Sequence, residues 1–146
     1  MAITSAVCNS FKQEILEAEH NFTASTGNTF NLALYDSDAS LGAGTTAYSS
    51  SEEVTNTSGT AYSAKGKALT SVTPTLDSST AVCDFADVSW TSASFTARGC
   101  LIFNDSHATD ASVCAIDFGG DKTATSGTFT IQFPAAGAST AIIRIA

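Results

Sequence analysis

Basic residues are scarce in this chain of 146 residues. Six Lys and Arg stand against fourteen Asp and Glu, for a formal net charge of −8. Nucleic-acid binding needs a basic face that displaces phosphate counterions, so that class is excluded first, together with a lining role against DNA. Charge of either sign is thin at 14%. No apolar run approaches the roughly 20 residues a membrane-spanning helix requires, and no membrane partner is expected. The opening Met1-Ala2-Ile3-Thr4 has neither the basic start nor the apolar centre of a secretory signal. The sequons at Asn21, Asn56 and Asn104 are therefore read as chance. Proline occurs twice, histidine twice and tryptophan once.

What fills the chain is Ser, Thr, Ala and Gly, with 43% apolar residues. That is enough apolar content for one core, and the length suits one domain. Small hydroxyl and β-branched residues favour strands and tight turns. The composition as a whole describes an acidic, β-rich domain.

One helix is expected, at 10–22. Ser10 with Gln13 fits a capping box. Phe11, Ile15, Ala18 and Phe22 recur at helical spacing, with Leu16 widening the stripe, while Lys12, Glu14, Glu17 and Glu19 fall largely off it. The Gly27-Asn28 pair and its neighbours would end it. So short a helix is marginal alone. Its stripe must dock, either on the domain's own core or on a neighbouring subunit. Residues 1–9 read as an arm leading into it, mobile unless tied down.

The remainder reads as strand and turn. Phe30, Leu32 and Leu34 alternate within a strand at 29–35. Residues 36–59 form the least regular stretch, a long loop of the kind that is usually functional or mobile. Strands follow at 67–73, closed by Pro74, then at 80–85 and 88–90, as a pair or one bent strand. The strand at 94–103 places Phe95, Ala97, Gly99, Leu101 and Phe103 on one face, with Arg98, Cys100 and Ile102 on the other. After a polar turn at 104–111 come strands at 112–118, broken by Gly119-Gly120, at 128–133 and at 140–145. Six to eight short strands at this spacing indicate an antiparallel β-sandwich or small barrel. No internal repeat is present.

Candidate chemistry is sparse. Cys8, Cys83, Cys100 and Cys114 lack the C-x-x-C spacing of a zinc site. The last three lie in apolar strand patterns, so buried thiols are expected, and Cys8 is expected to stay unpaired. His20, at the helix end, and His107, in the polar turn, have no ligand-spaced neighbours and read as surface residues. Asp36-x-Asp38 and Asp117…Asp121 lack the glycine and distal glutamate of a calcium loop, and capped turns are expected there. No G-x-S-x-G elbow exists. Neither enzyme activity, a metal nor a cofactor is expected. Arg98, mid-strand among apolar neighbours, either faces solvent or forms an ion pair, inside the fold or across a subunit contact.

Several segments together resemble a group of small virion proteins of tailed bacteriophages that infect aquatic bacteria and cyanobacteria. The likeness is carried by Asn9-Ser10-Phe11-Lys12, Phe30-Asn31-Leu32-Ala33-Leu34-Tyr35, Leu41-Gly42-Ala43-Gly44-Thr45-Thr46-Ala47-Tyr48, Cys83-Asp84-Phe85-Ala86-Asp87-Val88, Thr96-Ala97-Arg98-Gly99 and Asp117-Phe118-Gly119-Gly120-Asp121-Lys122. It runs from about residue 9 to the C-terminus. It implies a capsid decoration (cement) protein that binds the major capsid protein at shell junctions as a homo-oligomer, dimer or trimer. The alternative it leaves open is a tail or tail-fibre component that binds host-surface glycans, for which an exposed Trp90 flanked by Tyr48 or Tyr62 would argue. The family carries no catalytic residues. Phe11, Ile15, Phe22, Tyr48 and Arg98 are the candidate subunit-interface residues.

Overall fold

The computed structural model describes residues 2–55 and 61–146. The part of the expected long loop at 56–59, with the Asn56 sequon, lies outside the described residues. The fold is mainly β, as the strand spacing predicts, and it is a sandwich rather than a closed barrel. The five-stranded sheet has the order β1-β7-β6-β2-β3 and the three-stranded sheet the order β4-β5-β8. Its strands are β1 (Ala6–Val7), β2 (Phe30–Tyr35), β3 (Lys67–Ala68), β4 (Ser71–Asp77), β5 (Thr80–Phe85), β6 (Val88–Asn104), β7 (Ser112–Ile131) and β8 (Ile143–Ile145). Every ladder between them is antiparallel.

The large sheet is covered on both faces. On one side Phe30, Leu32, Leu34, Cys100, Ile102 and Cys114 share a core with Cys83, Phe85 and Ile143 of the small sheet. On the other, Ala33, Tyr35, Leu101, Phe103 and Ala115 lie under Ile3, Ala39, Leu41 and Tyr48. The N-terminal arm and the stretch at 36–55 thus form a third, irregular layer. The arm is therefore held in place rather than free. Ile3 bridges Leu41, Ala6–Val7 pairs with β7, and Thr4 N–H donates to the Leu41 carbonyl at 2.8 Å. Gly99 makes room for this layer, since a Cβ there would come within 2.5 Å of the Ile116 carbonyl oxygen and 2.8 Å of Ile3 Cδ1.

The helix is shorter than its sequence stripe predicts. It runs Asn9–Leu16 (α1), starts from Cys8, and has no side-chain cap. Ser10 Oγ has no hydrogen-bond partner among the described residues, and Gln13 bonds Glu17 instead. The expected capping box fails because the arm, already paired to β7, feeds straight into the first turn: Cys8 N–H meets the Val113 carbonyl and Asn9 N–H the Ala43 carbonyl. At the other end Ala18 adopts φ 62°. Ala18 N–H bonds the Ile15 carbonyl and Glu19 N–H bonds the Glu14 carbonyl, a left-handed termination usually made with glycine. Phe22 reaches the core from the extended segment beyond, stacking on Phe30 at 4.2 Å.

Two other expectations merge. The strands at 112–118 and 128–133 are one strand, β7, because Gly119-Gly120 makes a bulge and not an end. Ala97 pairs with Lys122 and Gly99 with Asp117, so Arg98 alone opposes residues 118–121. The irregularity also swaps faces on β6. Phe95 and Ala97 join Cys100 and Ile102 in the shared core, opposite Leu101 and Phe103. Residues 80–85 and 88–90 do not pair with one another, because β5 and β6 belong to different sheets. β4 runs on through Pro74, which an edge strand tolerates.

Candidate interaction surface

The five candidate interface residues fall into three settings. Phe11 and Phe22 are buried in the chain's own core, with ring centroids 5.9 Å apart. Their side chains are thus spent within the fold. Ile15, beside them, is half-buried and lines an apolar groove of about 120 Å³ with Pro74, Ala81, Ile143 and Ile145.

That groove opens onto exposed apolar surface. Leu76 pairs with Ala81, and Ala81 with Ile145, across the small sheet. Cross-strand partners share a face. Ala81 and Cys83 lie two residues apart, so this row is on the same face as the buried Cys83–Ile143 pair. The helix stops at Leu16 and leaves the row uncovered. Leu76 is 72% exposed, Ile145 55% and Leu16, at the helix end, 88%. A contiguous apolar patch marks an interaction site more often than scattered exposed residues do.

Tyr48 and Arg98 are engaged inside the chain. Tyr48 stacks on Phe103 at 4.8 Å, and its hydroxyl donates to Glu53 Oε2 at 2.5 Å. Tyr62 donates to Glu53 Oε1 at 2.7 Å and accepts from Leu34 N–H at 2.8 Å. A buried carboxylate needs such donors. Burial, reinforced by this carboxylate, pushes the Tyr48 phenol up to about 12 and drives that of Tyr62 well above its ordinary range. Lys65 lies over the Tyr48 ring, and its ion pairs to Asp110 (2.8 Å) and Asp105 (2.9 Å) hold it charged. Together these contacts fasten the irregular layer to the large sheet. Sequence reasoning misses Glu53, which lies within the irregular stretch at 36–59 with no local pattern to single it out. Arg98 is half-exposed and reaches Asp117 at 3.3 Å and Asp121 at 3.5 Å, bracketing the β7 bulge. That answers the open question about Arg98 with an ion pair inside the chain, and it gives Asp117 and Asp121 a cationic partner.

His20 is not a surface residue. Its side chain is fully buried; Nε2 lies 2.7 Å from Glu14 Oε2 and Nδ1 3.1 Å from Asn104 Nδ2. The signal that could have found it was the chain's return to the core at Phe22, which carries His20 inward with it. His107 is partly exposed, 3.4 Å from Glu19 and stacked over His20 at 6.2 Å.

Asp36 and Asp38 form the expected turn, with Asp38 N–H donating to Asp36 Oδ1 at 2.9 Å. The fold brings Glu52 to them, and one oxygen from each lies within 4.8 Å of the others. Asp38 and Glu52 are exposed. All four cysteines are free and buried, as the apolar strand patterns predict for Cys83, Cys100 and Cys114, and Cys8 is unpaired as expected. Burial pushes the Cys83 and Cys100 thiols up to about 12 and raises those of Cys8 and Cys114. Trp90 is 1% exposed, packed against Tyr62, Phe95 and Phe129. Comparison with protein-family models, with curated proteins and with solved structures finds no match.

Proposed function

We propose that this chain is a structural protein of a bacteriophage particle, a decoration or cement protein that binds the major capsid protein on the outside of the shell. The observation that carries the reading is the exposed apolar row Leu76–Ala81–Ile145, which borders the groove that Ile15 lines. The sequence resemblance names the setting. A cement protein needs a rigid body and a face for its partner, and weak contacts repeated over a lattice gain strength through avidity. The acidic surface suits the outside of a DNA-filled shell. The sealed thiols and the doubly fastened third layer suit a body that survives outside a cell.

The reading with a tail or tail-fibre component that binds glycans has less support. Sugar faces stack on exposed aromatics, and Trp90 and Tyr62 are both buried. The test is binding of the purified chain to shells that lack it. Leu76→Asp should abolish binding while the circular dichroism and melting of the isolated chain stay as they were. Undiminished binding by Leu76→Asp would move the contact elsewhere, and no binding by the unaltered chain would overturn the proposal.

A further inference from the structure

Every edge of the two sheets is blunted except one. Free edges invite pairing, and proteins protect them with short strands, proline, bulges or charge. β1 and β3 are two residues long. β4 carries Pro74 and a register irregularity. β8 has three residues, with Arg144 at their centre. β7 is different. Its outer side pairs with β1 only at Cys114 and Ala115, and among the described residues no strand pairs with that side farther along. Residues 127–131 keep regular spacing on β7 itself, with Phe129, Thr130 and Ile131 opposite Trp90, Ser89 and Val88. Residues 123–143 contain no ionisable side chain, the longest such run in the sequence.

The same edge borders a mostly apolar cleft of about 510 Å³, lined by Ile116, Phe118, Phe129, Ile131 and Phe133, with Lys122 as the one charged residue in its lining. Phe129, Ile131 and Phe133 are buried or half-buried, while the alternating Thr128, Thr130 and Gln132 are exposed, Thr130 and Gln132 at the rim of the cleft. The edge thus offers unpaired backbone groups, an apolar inner face and a hydroxyl-rich outer face.

We infer that β7 pairs with β7 of a second copy of this chain, antiparallel across a two-fold axis at Thr130, joining the two large sheets and covering both clefts. A two-fold pairing uses the same patch twice. Centred on Thr130, it sets Phe129 opposite the partner's Ile131 and Thr128 opposite the partner's Gln132, so apolar meets apolar and hydroxyl meets amide. Charge selects this edge. Two chains of net charge −8 repel, and residues 127–133 bring no charge to the contact. The inference stands on the open edge and its lack of charge, and not on where the chain sits in a particle.

The test is sedimentation equilibrium of the purified full chain, at twice the 14.9 kDa chain mass if the inference holds. Thr130 is exposed, and its hydroxyl meets Ser89 at 2.8 Å, so Thr130→Asp and Thr130→Lys keep the fold, to be checked by circular dichroism. Like charges directly opposite one another destabilise strand pairing. Each variant alone should run as a monomer, and an equimolar mixture of the two should regain the dimer mass. Thr96→Asp, in a matching pair with Thr123 on the same sheet, should remain dimeric. A monomeric parent chain at the highest attainable concentration would overturn the inference. So would a dimer that survives both Thr130 variants, or one that Thr96→Asp also dissociates. None of these results bears on shell binding, which the Leu76→Asp experiment reads separately.

Discussion

Asn104 holds the segment that follows α1 to the large sheet, and its removal should be costly. Its Nδ2 donates to His20 Nδ1 at 3.1 Å and to the Glu19 carbonyl at 3.3 Å, while its Oδ1 accepts from Ser106 N–H at 3.0 Å. The amide cannot turn over, because its oxygen would then face the Glu19 carbonyl and its nitrogen the Ser106 N–H. That orientation makes His20 Nδ1 an acceptor and leaves Nε2–H to donate to Glu14. Asn104→Ala removes all three bonds, each worth a net of about 1 kcal/mol. It also strands the buried His20 Nδ1. The summed loss is about 3–4 kcal/mol, which lowers the melting temperature by roughly 6–16 °C for a domain of this size. Urea unfolding, read as a midpoint shift at constant slope, measures it. Nitrogen-15 spectra of His20 in the parent chain should show the Nε2–H form. A loss below about 1 kcal/mol, or the Nδ1–H form, would refute the reasoning.

Three further outcomes are expected. Ala18→Gly relieves a left-handed alanine that closes α1 and should stabilise the chain by about 1 kcal/mol; a lower melting temperature would contradict the Schellman-type ending. The four thiols should not react with a disulfide reagent in the native state and should all react in denaturant, so rapid labelling of any one would place it outside the core. Alkali should unfold the chain: the folded-state pKa of Cys83 and of Cys100 is raised to about 12 from 9.0, so the folded state holds protons that the unfolded state releases. The stability these thiols contribute is intact below pH 9 and falls between pH 9 and 12 by about 1.4 kcal/mol per pH unit for each. A flat stability profile across that window would contradict it.

Local pattern made most of the architecture legible. The alternation in Phe30–Tyr35 and the turn at 104–111 placed the central strands, and short strand spacing implied a sandwich or small barrel, of which the structure is the sandwich. The errors arose where a distant partner decides. Phe22 fits a helical stripe by number, but the left-handed Ala18 and the His20–Asn104 contact end the helix early. Gly119-Gly120 looks like a strand end, yet Arg98 spans the bulge to Asp117 and Asp121, and β7 continues. The helical stripe was legible, but which of its residues the fold leaves exposed was not. Phe11 and Phe22 point inward, while Ala81 and Ile145 join Ile15 at one groove, and Leu76 joins Ala81, only through sheet pairing that no local spacing encodes. Glu53 was illegible for the same reason: its two tyrosine donors come from either side of a loop.

The central claim concerns a coat protein, and the most direct measurement is its copy number and position in purified particles, by quantitative mass spectrometry and electron cryo-microscopy. The account predicts copies in fixed proportion to the major capsid protein, on the outer face of the head, with the Leu76–Ile145 row turned toward the shell. A few copies confined to the tail, or none in the particle, would contradict it.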